Sequence, residues 1–96
     1  MAYVVLKAKR YEDANLLHSD DLVSRQTIRV YDLKNLGLED QGFVILVEGS
    51  EEAVNRAVQL LNGIAEKIEG EEAKRIYEKI KEIEDAASSG FGSIFG

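Results

Sequence analysis

GFVILVEGSEEAV, residues 42–54, contains the change of period on which the fold turns. Phe43 to Val47 are apolar without a break and rich in β-branched side chains. That marks a strand buried on both sides or lying in the middle of a sheet. Past Gly49 the spacing switches from 2 to 3.6. Ser50 is placed to cap a helix, and Glu51 and Glu52 stand in its first turn, where the helix dipole favours carboxylates. Val54, Ala57, Val58, Leu61, Ile64, Ala65 and Ile68 then form one broad apolar stripe, which predicts a helix over about 51–69 buried against a sheet.

Toward the N-terminus the period stays near 2. Residues 2–10, AYVVLKAKR, set Val4, Leu6 and Ala8 against Tyr3, Val5, Lys7 and Lys9. Residues 24–33, SRQTIRVYDL, set Ile28 and Val30 against Thr27, Arg29 and Tyr31. Between them, residues 11–23 form a polar stretch with a short apolar knot at Leu16 and Leu17, enough for one helical turn. KNLGLEDQG, residues 34–42, reads as a turn before the third strand. Toward the C-terminus, Gly70 ends the first helix, and a second is predicted over 71–87. Its apolar residues Ala73, Ile76, Ile80, Ile83 and Ala87 follow a 3-4-3-4 spacing, a narrow seam suited to one neighbouring helix.

Strands followed by helices predict a single α+β domain over residues 1–96. The expected architecture is a three-stranded, mainly antiparallel sheet from 2–48 with two helices (51–69 and 71–87) on one face. A βαββαβ arrangement would need a helix within 11–23 and a last strand at the C-terminus, and the residues signal neither. Residues 88–96, SSGFGSIFG, read as a Gly/Ser tail whose Phe91, Ile94 and Phe95 would cover apolar surface on this chain or a second copy.

Composition narrows the function classes. An apolar content of 45% with 31% charged residues is that of a globular chain. The absence of cysteine excludes disulfides, thiolate metal sites and cysteine nucleophiles. It also suits the cytoplasm, and the abundance of Glu and Lys leans toward a thermophile's. The first apolar run, about five residues, is shorter than the roughly 7 a signal peptide needs or the roughly 20 of a membrane span, so no membrane partner is expected. Residues 1–34 carry six Lys/Arg against five Asp/Glu, a net +1; residues 35–96 carry six against thirteen, a net −7. An acidic second half disfavours nucleic acid and suits cations or basic proteins. His18, the only histidine, sits in LLHSDDL with no triad context. No nucleophile elbow or phosphate loop is present, and the chain reads as non-enzymatic.

Two candidate sites remain. A helix of about 18 residues and a strand of about eight are both near 26 Å long. A helix running back over the third strand would therefore bring Glu69, Glu71 and Glu72 to Glu39 and Asp40. Those carboxylates form an acidic pole suited to Ca²⁺, with the helix C-terminus reinforcing it. The second candidate is a sheet face. If the helices cover Val4, Leu6, Ile28, Val30, Val44 and Leu46, the other face shows Tyr3, Val5, Tyr31, Phe43, Ile45 and Val47, bordered by Lys7, Lys9 and Arg29. Alternation defines the two faces without saying which one the helices take. An open apolar patch of that size suits a homodimer or another protein. Its aromatics beside basic residues are the alternative, an RNA- or nucleotide-binding surface. The expected function is a small acidic binding or assembly domain, with Ca²⁺ as its candidate ion.

Overall fold

In the computed structural model the backbone is described for residues 1–95 and the side chains through residue 87. Four strands, β1 (Ala2–Ala8), β2 (Thr27–Asp32), β3 (Phe43–Gly49) and β4 (Ala65–Ile68), form one sheet in the order β2-β3-β1-β4. Every neighbouring pair is antiparallel. The helices are α1 (Asn15–His18), α2 (Glu51–Leu60) and α3 (Gly70–Phe95). Short 3-10 turns at Tyr11–Ala14, Val23–Arg25 and Leu33–Leu36 join them. The class is α+β, as expected, and the chain through β4 has the split βαββαβ order of a ferredoxin-like domain. α3 is added after it.

The fourth strand corrects the long first helix. α2 begins where Ser50 caps it, its hydroxyl accepting from the Ala53 N–H at 3.1 Å. It ends after ten residues. Gly63, at φ +82°, turns the chain in the left-handed region. Asn62-Gly63 is the turn signal that the helical stripe of Leu61, Ile64, Ala65 and Ile68 masks. Ala65–Ile68 instead pairs with β1, Ile68 opposite Val5 and Ala65 opposite Ala8.

The helices lie on both faces, which corrects the single covered face. Register explains why: Val4 lies opposite Val47 and Leu6 opposite Ile45, while Val5 lies opposite Leu46. Ile45 and Val47 therefore share the face of Val4 and Leu6, and Val44 and Leu46 belong to the other. On the first face α2 contributes Val54, Ala57 and Leu61 to a core with Val4, Leu6, Ile45 and Val47. The segment 11–25 fills the rest with Ala14, Leu17 and Val23. On the second face α3 lays Ala73, Ile76 and Ile80 over Val5, Val44, Leu46 and Ile68, and Leu33 and Leu36 close the side. The narrow seam of α3 thus meets a sheet, not a helix. An unbroken apolar β3 is what a central strand with two covered faces requires.

Segment 11–25 is tied down by Asp20. One carboxylate oxygen accepts from Arg56 Nε and Nη2 on α2, at 3.1 and 2.9 Å. The other accepts from the backbone N–H groups of Leu22 and Val23. The Arg56 hydrogen bond, aided by the Val23 N–H, holds the Asp20 carboxyl below its ordinary pKa. Gly42 is a second local requirement. Its φ is +118°, and a Cβ there would lie 2.8 Å from the Ala8 carbonyl oxygen. α3 crosses the second face from the β4 side toward β2 and continues beyond its last buried residue, Ile80. Ile83 is 36% exposed, and Asp85, Ala86 and Ala87 are exposed. Among the described residues no helix is long and apolar enough to cross a membrane.

Candidate functional site

Where the first turns of α3 pass β1, β4 and the loop after β2, the surface opens into a cleft of about 340 Å³. Its floor is Leu33, Leu38, Ile68 and Ile76, and its rim is Glu39, Asp40, Glu72 and Lys7. The floor residues belong to the second core, so the cleft is an opening in that layer. The 3-10 turn Leu33–Leu36 and Gly37 (φ +77°) carry the loop around to the cleft, which Glu39 and Asp40 line together with Glu72 of α3. Lys7 Nζ donates to Asp40 Oδ2 at 3.0 Å. On its other side Lys7 borders a smaller cleft with Lys9, Gln41, Ile64 and Glu66.

Three of the five acidic residues singled out from sequence, Glu39, Asp40 and Glu72, therefore share this rim. Glu69 is engaged with Lys67, at 3.4 Å, and does not line the cleft. Glu71 is an exposed residue of the first turn of α3. The route differs from the expected one. Glu72 arrives on the oblique α3, because the helix meant to bring it there stops at Leu60. Among the described residues no group of three or more His, Asp or Glu side chains converges as a metal ion would require. What the cleft offers is an apolar floor with carboxylates around it, the complement of a side chain with an aliphatic stem and a cationic head.

The aromatic face expected to be open is covered by α3. Tyr3 stacks on Tyr77, ring centroids 4.1 Å apart and planes 21° from parallel. Tyr31 donates its hydroxyl hydrogen to Glu84 Oε2 at 3.0 Å, and Arg29 Nε donates to the same oxygen at 2.8 Å. Phe43 is not on that face. It lies opposite Ala8, on the α2 side, with Tyr11 edge-on at 5.8 Å. The side chains of Phe91, Ile94 and Phe95 lie outside the described residues. His18 ends α1 and is exposed.

Beneath α3 is a group that strand alternation alone did not single out. Glu48, 8% exposed, is the one charged side chain buried among the described residues. It accepts from Tyr77 Oη at 3.0 Å and from Lys81 Nζ at 2.8 Å. Burial pushes the Glu48 carboxyl up, but the hydrogen bonds from Lys81 and Tyr77 and the charges of Lys81 and Arg29 outweigh it. The net pKa lies below the ordinary glutamate value. Lys81 is raised, chiefly by its hydrogen bond to Glu48. Burial and the Glu48 contact raise the Tyr77 phenol, and burial and Glu84 raise Tyr31. The signal was available in the sequence: Tyr77 and Lys81 stand four apart on one face of a helix, and Glu48 closes an apolar strand. All its polar atoms are matched within the fold, which makes it a staple between α3 and the sheet.

Compared with protein-family models, characterised proteins and solved structures, the chain matches none of the three.

Proposed function

We propose that this chain is a non-enzymatic binding domain whose cleft receives a cationic, partly apolar segment of a protein partner. The observation that carries the proposal is the placement of Glu39, Asp40 and Glu72 around a floor of Leu33, Leu38, Ile68 and Ile76. A lysine or arginine could lay its methylenes on that floor and its charge on the rim. The net −7 over residues 35–96 adds a field that attracts such a partner. Asp40 already accepts from Lys7 Nζ at 3.0 Å, so an incoming cation would share that carboxylate or turn to Glu39 and Glu72.

The test is an amide-shift titration of the ¹⁵N-labelled chain with an acetyl-Leu-Arg-Leu-Lys-amide peptide, with a Leu-Glu-Leu-Glu counterpart as control. Saturable shifts at residues 38–40 and 68–76, weakened by salt and by Glu72→Lys, are expected. Equal shifts from the acidic peptide, or shifts scattered over the whole surface, refute the reading.

Calcium, the ion expected from the sequence, would need six to eight converging oxygens, and Glu39, Asp40 and Glu72 line the cleft without converging. Millimolar Ca²⁺ should therefore leave the melting temperature unchanged, and a rise with metal concentration would restore the calcium reading. An RNA pool added to the same sample tests the nucleotide alternative through Tyr3, Tyr31, Lys7, Lys9 and Arg29. That alternative would require α3 to move off the face that holds both tyrosines.

A further inference from the structure

The sheet has two edges, and they are built differently. β4 is four residues long, with the charged Glu66 and Lys67 at its centre and positive-φ glycines, Gly63 and Gly70, on either side. Central self-pairing of β4 would set Glu66 on Glu66 or Lys67 on Lys67. Shortness and charge are how edges are kept from pairing. β2 has six residues and neither Gly nor Pro, and its Ile28, Val30 and Tyr31 are only half-buried.

The backbone of β2 can be assigned residue by residue. The Leu33 N–H donates to the Gly42 carbonyl at 3.0 Å, and this pair continues the register that sets Asp32 opposite Phe43 and Tyr31 opposite Val44. Hydrogen-bonded and non-bonded pairs alternate along an antiparallel ladder. Thr27, Arg29 and Tyr31 therefore direct their backbone groups to β3, and Ile28, Val30 and Asp32 direct theirs outward. Those outward groups meet no backbone partner from another segment among the described residues.

We propose that β2 is a self-pairing edge, and that two copies of the chain join it antiparallel to form one continuous eight-stranded sheet. Charge selects the register. Centring the pair on Arg29 would place two guanidinium groups opposite each other, and like charges directly opposed are destabilising. Centring it on Val30 instead sets Val30 on Val30, Arg29 across from Tyr31 of the second copy, and Ile28 across from Asp32. All the outward groups of Ile28, Val30 and Asp32 are then paired. The same edge is the one toward which α3 runs. Glu84 is held there by Arg29 and Tyr31, and the adjacent Ile83 is left exposed. The second copy thus meets half-buried apolar side chains as well as strand backbone.

Sedimentation equilibrium and amide exchange, both run over a concentration series, test this. Mass should rise from that of one chain, 10.7 kDa, toward twice that value. Over the same range the amides of Ile28, Val30 and Asp32 should exchange at least ~10-fold more slowly, because their opening then requires dissociation. Thr27, Arg29 and Tyr31 should be protected at every concentration. Val30→Pro removes one outward donor without touching the β2–β3 ladder, so the folded variant should remain a single chain. If it does not fold, the exchange profile of the unmodified protein decides alone. A single-chain mass at millimolar concentration overturns the proposal. So does a dimer in which those three amides stay fast, or a folded Val30→Pro protein that still dimerises.

Discussion

Lys81→Met tests the staple between α3 and the sheet. The substitution keeps the length and aliphatic bulk of the side chain and removes the ammonium 2.8 Å from Glu48 Oε1. Glu48 stays bonded to Tyr77 but loses its cation, with its side chain 9% exposed. A hydrogen bond to a charged group contributes about 1.5–3 kcal/mol, and stranding one member of a fully buried pair costs about 3–5 kcal/mol. Lys81 is 39% exposed, so solvent screens much of its charge and the lower range applies. We expect a loss of about 1–2 kcal/mol at pH 7, or a melting temperature lower by about 5–15 °C for a domain of this size. The pH dependence supplies a sharper check. Glu48 has a folded pKa below its unfolded value. Its contribution is therefore complete above the unfolded pKa of about 4.3 and fades as pH falls through the folded pKa. The variant lacks that contribution, so the gap to the parent protein should narrow below about pH 4. Thermal melts of both proteins from pH 7 to pH 3 measure it, with Lys81→Arg as the variant that keeps the cation. No loss at pH 7, or a gap unchanged at pH 3, refutes the reasoning.

Leu61→Ala and Ile80→Ala remove fully buried side chains from opposite cores. Each should cost about 2–5 kcal/mol by denaturant unfolding, and a negligible loss for Ile80→Ala would mean that α3 is not part of the cooperative fold. Gly42→Ala meets both a left-handed backbone and the Ala8 carbonyl oxygen. It should lose at least about 1–3 kcal/mol, and the amides of residues 42–44 should report the shift in NMR spectra. His18→Ala should leave the melting temperature within about 2–4 °C of the parent, since an exposed substitution away from any network changes stability by no more than about 0.5 kcal/mol.

The α+β class, the places of β1, β2 and β3, and the Ser50 cap of α2 were legible because each depends on residues near one another in the chain. Period 2, period 3.6 and a capping serine are local properties. Ala65–Ile68 was not legible as a strand, because Leu61, Ile64, Ala65 and Ile68 satisfy a helical stripe equally well. Only β1, far away in sequence, offers Ala65–Ile68 a ladder. The 11–25 segment was obscured for a related reason. Its regular structure comes in pieces of three and four residues, held by Leu17 and Val23 in the core and by Asp20 on Arg56. The candidate cleft was half legible: Glu39, Asp40 and Glu72 were named, but from a helix path that does not exist.

The unbroken apolar run of β3 determined by itself that both faces of the sheet are apolar at its centre, and alternation along β1 and β2 separated the two faces. Register then decided which side chains share a face, because a shift of one residue exchanges every side chain between the two sides. The opposition of Val4 to Val47 placed Ile45 and Val47 under α2. Val44 and Leu46 were left for α3, which closed the face that would otherwise have shown Tyr3 and Tyr31. The residues alone carried the acidity of the second half and the apolar seam of α3. The oblique path of that helix, set by what its seam could bury, decided that Glu72 would share a cleft with Glu39 and Asp40 and that Glu48 would find Lys81.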